Sequence, residues 1–347
     1  MRFSSDEVST GLSGLDAILQ NLRKGDNVVW QTDDIKAYQH YVDPFVKKAL
    51  AEGRRLVYIR FAQHPPLIAG DKRIKTYQLD ASPGFEAFSK QLHDIITAEG
   101  KGVFYVFDCL SDLLSAWATD LMLGNFFMVT CPYLFKLDTV TYFALLRNKH
   151  SFKTIARIRE TTQLLIDIFH IGQEFYIHPL KVWSRHSPTM FLPHLETEEN
   201  FLPIVSSVDA TKLFSYMAVK SAESVQRNLD YWDRLFLAAE AMVKNAAPFK
   251  DKDQMLAKLS RSMLGREARM LALAEENLTL EDLLAIKARM IGTGYVGGKT
   301  LGMLLARKIL LKDEEFVWSK VLDPHDSFYI GSDVFYTYIV ENGWCEL

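Results

Sequence analysis

From residue 27 to residue 194 short apolar runs alternate with longer amphipathic ones, and this alternation restricts the possible folds more than any other feature. Val28-Val29-Trp30 and residues 55–61 (RLVYIRF), 103–107 (VFYVF) and 141–146 read as strands. Between them, residues 36–52, 85–99 and 152–170 have the apolar spacing of helices, and a further helix starts at residues 110–118. In the first of these, Tyr38, Tyr41, Val42, Phe45, Val46 and Leu50 share one side, and Gly53 ends it. Ser151 is placed to cap the helix that follows it. Strand and helix in alternation predict an α/β fold: a mostly parallel sheet with helices on both faces. Residues 173–193 lose the helical period and hold Pro179 and Pro188, which predicts an antiparallel pair closing one sheet edge.

The 347 residues suffice for two or three domains. The polar run ETEEN at 196–200 predicts a boundary, giving an α/β domain over residues 1–200. Residues 201–290 read as a helical arm or bundle of three to four helices, in which Pro248 separates two. Residues 291–347 change again: a glycine-rich turn (IGTGYVGGKT), a helix over 301–311, a short strand at 328–330 and a helix over 333–341.

Forty basic and 43 acidic residues leave a net charge of −3, without the basic surplus of a nucleic-acid binder. Cys109, Cys131 and Cys345 fit neither a disulfide framework nor a metal knuckle, so a cytoplasmic location is expected. The first residues lack the apolar core of a signal peptide. The longest uncharged stretch, 121–135, holds Gly124 and Pro132 and is too short for a bilayer, so it reads as buried core. Neither nucleic acid nor membrane is expected as a partner.

Residues 10–19 (TGLSGLDAIL), followed by Lys24-Gly25-Asp26 and a strand, resemble the opening of RecA-superfamily ATPases of the KaiC type. The resemblance continues to about His194 and implies a RecA/KaiC-like domain. It puts Asp108, with Cys109-Leu110-Ser111 after it, where an aspartate would position Mg²⁺; a helix cap or strand end is the other reading of that residue. A working member needs a glycine loop ending in Gly-Lys-Ser/Thr, whose amides close around the phosphates. Here Gln31-Thr32-Asp33-Asp34-Ile35-Lys36-Ala37-Tyr38 has no glycine, and Asp33 and Asp34 stand where phosphate would lie. Ala62 and Gln63 replace the acidic pair that activates water. The domain is therefore expected not to hydrolyse ATP. His150, His170, His178, His186 and His194 have no metal-ligand spacing and read as structural; Arg147, Lys149, Arg157 and Arg159 read as a solvated or interface face paired with Glu160, Asp167 and neighbouring elements, with anion binding as the other reading.

The turn IGTGYVGGKT is out of register for a P-loop, since Thr293 stands where the first glycine is required, and residues 278–290 read as helix rather than strand. Gly297-Gly298-Lys299-Thr300-Leu301-Gly302-Met303-Leu304 resembles the start of the ATP-grasp domain of phosphoenolpyruvate synthase and pyruvate phosphate dikinase. Residues 327–343 resemble that family's next piece. The resemblance implies that Gly297, Gly298, Lys299 and Thr300 meet ATP phosphates, and amides at a helix start beside a lysine do make an anion site. A plain tight turn is the other reading. The family's remaining parts are expected elsewhere, so the chain is either the front piece of a longer polypeptide or a stand-alone remnant. The implied activity is ATP- and Mg²⁺-dependent phosphoryl transfer to pyruvate or a related acceptor, with this chain alone inactive and its α/β domain regulating or assembling a homo-oligomer. The alternative is a non-enzymatic nucleotide-sensing or oligomerisation module.

Overall fold

The computed structural model describes residues 7–198, 200–222, 229–245, 248–323 and 326–344; Cys345, Glu199 and the N-terminal hexapeptide lie outside it. The α/β part runs β1 (Glu7–Val8), α1 (Ser13–Leu19), β2 (Leu22–Arg23), β3 (Asn27–Thr32), α2 (Ile35–Ala51), β4 (Leu56–Arg60), β5 (Ile74–Gln78), α3 (Phe85–Glu99), β6 (Phe104–Cys109) and, after one 3-10 turn, α4 (Leu114–Trp117). It continues with α5 (Leu121–Lys136), β7 (Val140–Leu146), α6 (Phe152–Thr161), β8 (Leu164–Ile171), β9 (Glu174–Val182), β10 (His194–Glu196) and β11 (Phe201–Pro203).

Among the described residues nine of these strands form one sheet in the order β11-β10-β9-β8-β3-β7-β6-β4-β5. Neighbours from β8 to β5 are all parallel, and β8-β9-β10-β11 is an antiparallel run at one edge. The mostly parallel α/β class is thus as the alternation predicts. Successive side chains of β3 go to opposite faces. Val28 and Trp30 join Tyr38, Tyr41 and Phe45 of α2, while Val29 joins Phe88 and Leu92 of α3 and Phe126 and Phe127 of α5. Trp30 stacks on Tyr41 at 5.0 Å and Phe45 on Tyr142 at 4.1 Å. With both faces covered, the central strands are buried along their length and mostly apolar. The uncharged stretch forms α5, largely buried despite Pro132 within it. No described helix is long and apolar enough to cross a membrane.

Two readings change here, and one strand is new. The helix expected over 152–170 stops at Thr161, and residues 164–171 become β8, buried beside β3. The hydroxyls of Thr161 and Thr162 both donate back to the Ile158 carbonyl, at 3.1 and 2.9 Å, closing the helix. An apolar run such as LLIDIFHI satisfies helix and strand alike until its neighbours are known. The ETEEN run lies between two paired strands: Glu196 ends β10, Phe201 begins β11, and the Thr197 amide donates to the Asn200 carbonyl at 2.7 Å. A polar turn and a polar linker look the same in sequence, and here the α/β part extends to β11. The edge strand β5 lay unread because its residues are mostly exposed.

Beyond β11 come α7 (Ser207–Ala222), α8 (Tyr231–Lys244), α9 (Phe249–Met263), α10 (Ala268–Asn277) and α11 (Leu280–Ala288), five helices among the described residues where three to four were expected. The tail adds β12 (Met290–Ile291), α12 (Gly298–Lys312), β13 (Tyr329–Ile330) and α13 (Ser332–Glu341). β12 and β13 pair in parallel, so a strand does precede the glycine turn; two residues are too few to register as one in the sequence. Trp232, Phe236 and Leu283 of the helical region share a core with Val296, Leu301, Leu305 and Tyr329 of the tail. Residues 201–290 are therefore no free linker. α7 stands apart, its Leu213 packed with Phe169 and Tyr176 of the sheet edge.

Candidate functional site

Only Asp33 and Asp34 separate β3 from α2. Asp34 caps the helix, accepting from the Lys36 amide at 2.9 Å. Asp33 accepts from Nε of Arg147 at 3.0 Å and from the Tyr216 hydroxyl at 3.2 Å. Arg147, its side chain 7% exposed, also pairs with Asp167 at 2.8 Å, as its sequence neighbourhood suggested, and donates to the carbonyls of Gln31 and Ile168. Its guanidinium lies 4.1 Å over the Phe169 ring. A phosphate-binding helix start offers bare amides and a flexible glycine loop. This one is filled by the protein's own carboxylates, one of them neutralised by an arginine that ties β3, β7 and β8 together.

Asp108, fully buried at the end of β6, accepts from the Tyr58 hydroxyl at 2.5 Å and from the amides of Phe61 and Ala62, each at 3.0 Å. His64 Nε2 lies 3.7 Å from the same carboxylate and accepts from the Cys109 amide at 3.2 Å. Burial, with the hydrogen bond to Asp108 second, holds the Tyr58 hydroxyl above its ordinary range. Three donors occupy most of what a carboxylate can accept. Asp108 thus latches the loop after β4 to the sheet, and a Mg²⁺ ion there would have to displace those donors. Among the described residues no three His, Cys, Asp or Glu side chains converge as a metal cluster. Ala62 is buried and Gln63 exposed, and neither side chain is a base.

The motif that carries the N-terminal resemblance has a structural job. Asp16 accepts from the amide and hydroxyl of Thr10, both at 2.7 Å, and from the Ser9 hydroxyl at 2.5 Å. Gly11 has φ +87°, and a Cβ there would come within 2.2 Å of the Pro44 carbonyl oxygen in α2. Nearby, Arg185 and Asp26 form a two-pronged ion pair, both bonds 2.9 Å, with side-chain exposures of 0% and 3%. No local spacing announces this pair or the one between Arg147 and Asp33.

Among the described residues the histidines gather into no metal cluster, although His178 and His194 are neighbours across β9 and β10. His150 is buried against the Ser111 hydroxyl at 2.7 Å, and burial pushes its pKa down to about 3. His170 stacks on Phe175 at 4.3 Å, His178 faces the Phe191 carbonyl at 3.2 Å and His194 the Thr189 hydroxyl at 3.3 Å.

In the tail, Gly292 and Gly294 take φ +82° and +85° so that the turn wraps the start of α13. There the amide and hydroxyl of Thr293 donate to Asp333 at 2.7 and 2.8 Å, and the Tyr295 amide donates to the Ser332 hydroxyl at 3.0 Å. Gly297 caps α12, and Gly298, Lys299 and Thr300 form its first turn. A Cβ on Gly297 or Gly298 would meet nothing within 4 Å, and Lys299 is exposed. These four residues are brought together on one open helix start; Asp108 is sealed in another part of the molecule. No protein-family model matches the chain, and no curated protein is significantly similar to it.

Proposed function

We propose that the chain is the front part of an ATP-dependent phosphotransferase related to phosphoenolpyruvate synthase and pyruvate phosphate dikinase, and that its α/β part is a RecA/KaiC-like module that no longer hydrolyses ATP. The observation that carries the second half is Asp33, held by Arg147 and Tyr216 where nucleotide phosphates would need bare amides. Mg-ATP does not fit that place, because it would bring its own negative charge against Asp33 and Asp34. Asp108, fully buried and already accepting three hydrogen bonds, offers little in compensation.

The start of α12 does fit an anion. The amides of Gly297 and Gly298 with the Lys299 ammonium and the Thr300 hydroxyl would hold ATP phosphates, and the helix dipole favours negative charge there. ATP supplies the transferable phosphoryl group; these residues bind and orient it, and Mg²⁺ with the remaining machinery comes from other parts of the polypeptide. An apolar surface supports such a docked remainder. Ile291, Phe328, Ile330, Phe335, Tyr338 and Trp344, all in the tail, are between 53% and 71% exposed.

Calorimetric titration with Mg-ATP tests the reading. The chain should bind ATP without turning it over, Lys299→Ala should abolish binding and Asp108→Ala should leave it. Turnover by the isolated chain that vanishes in Asp108→Ala overturns it.

A further inference from the structure

A cleft of about 1230 Å³ separates the α/β part from the helical region. One wall is the carboxyl edge of the parallel sheet, where residues following β4, β5, β6 and β7 emerge; the other is α8, α9 and Arg266. Open α/β sheets take their ligands at this edge. The residues that close the α2 start, Asp33 and Asp34, do not line it.

The cleft's charge runs against that of the molecule. The chain carries a net −3, yet Lys149, Arg234, Lys258, Arg261 and Arg266 line the cleft against only Asp80 and Asp112. Among the described residues none of these five cations forms an ion pair within 4.0 Å; Arg234 and Arg266 donate to neutral oxygens, and Lys258 lies 5.8 Å over the Tyr231 ring. Arg234 donates to the carbonyls of Asn148 and Lys149, at 3.4 and 2.5 Å, and Arg266 to the Ala116 carbonyl at 2.6 Å and the Tyr295 hydroxyl at 2.9 Å. The bonds to Asn148, Lys149 and Ala116 cross from one wall to the other, the bond to Tyr295 steadies Arg266 from the tail, and each guanidinium keeps unused donors from its five N–H groups. Lys258 and Arg261 lie three residues apart, on one face of α9, and are exposed. Five cations against two carboxylates leave a surplus of positive charge in the cleft, and an anion bound between them relieves the mutual repulsion.

We propose that this cleft is a binding site for a small organic molecule carrying at least two phosphate charges. Fixed arginine forks suit phosphate oxygens, and lysines add point charge around them. The volume exceeds the needs of a bare anion, and Phe61, Leu114, Leu235 and Met255 give the organic part an apolar lining. The site is independent of the α12 start and of the phosphotransferase reading.

Inorganic pyrophosphate is the probe, titrated calorimetrically into the full chain at physiological ionic strength, where charges beyond about 8 Å are screened. Lys258→Ala/Arg261→Ala removes two exposed side chains from a helix and keeps its propensity, so the variant folds; circular dichroism checks it. We expect saturable one-to-one binding, weakened about tenfold or more in the double variant and unchanged in Lys299→Ala. Absence of saturable binding, equal affinity in the double variant, or citrate bound as tightly as pyrophosphate would each overturn the proposal.

Discussion

Asp108 accepts hydrogen bonds from two amides and a tyrosine hydroxyl, all of which lose their partner if the carboxylate is removed. Stranded buried donors cost more than the bonds themselves contribute. Asp108→Ala should lower the unfolding free energy by about 3 kcal/mol, read from denaturant titration, and a variant as stable as the parent would contradict the latch. Asp26 presents the sharper case. Burial raises its pKa even though Arg185 opposes the shift. Arg185→Met leaves that charge buried without its ion-pair partner, with an expected loss of about 3–5 kcal/mol, of which Asp26→Leu on the same background should recover a large part. Neither effect was visible at the sequence level, because each partner lies far away in the chain and acquires its meaning from burial.

At the level of elements, α8 begins at Asp230, which accepts from the Asp233 amide at 2.8 Å and from the Thr119 hydroxyl at 3.0 Å and so pins the helix to the α/β part. Burial, with the nearby Asp120 charge, raises its pKa to about 6. A raised carboxylate favours folding while protonated: the contribution is complete below the unfolded value near 3.8 and is lost as the pH rises through about 6. Asn caps a helix as well as Asp. Asp230→Asn should therefore gain stability relative to the parent as the pH is raised from acid to neutral, and a pH-independent difference in melting temperature would refute the assignment. The short elements explain what the sequence concealed. β12 has two residues and β10 and β11 three each, too few for a period to show. β8 is long enough, but its apolar run fits two templates and only pairing with β3 decides between them.

Across the whole molecule, Arg266 and Tyr295 both donate to the Ala116 carbonyl, joining the helical region and the tail to the α/β part. α13 adds a second seam: Asn125 donates to the Thr337 hydroxyl at 3.1 Å, Arg157 pairs with Glu341, and Tyr336 packs edge-on to Phe85 at 5.3 Å. The parent should melt in one calorimetric transition. Arg266→Ala, which cuts two hydrogen bonds and a ring contact at the crossing, should broaden or split it, whereas an unchanged single transition would show that the remaining contacts, through Tyr295, Asp230, Arg234 and α13, suffice. The same crossing shapes the cationic cleft, so binding there and the docking of the two parts are expected to be linked.

The sequence by itself determined the α/β class and most of the central strands, since a sheet covered on both faces demands apolar strands and one-sided helices, and these periods are local. It also determined that no glycine loop follows β3 and that two glycines, a lysine and a threonine open α12. Tertiary structure alone decided the rest. The hairpin at residues 196–200, the strand after α6, the occupation of Asp33 and Asp108 by internal donors, and the five cations facing one cleft all depend on partners distant in the chain. A side chain's charge is written in the sequence; whether it is neutralised, buried or left facing a ligand depends on what the fold sets beside it.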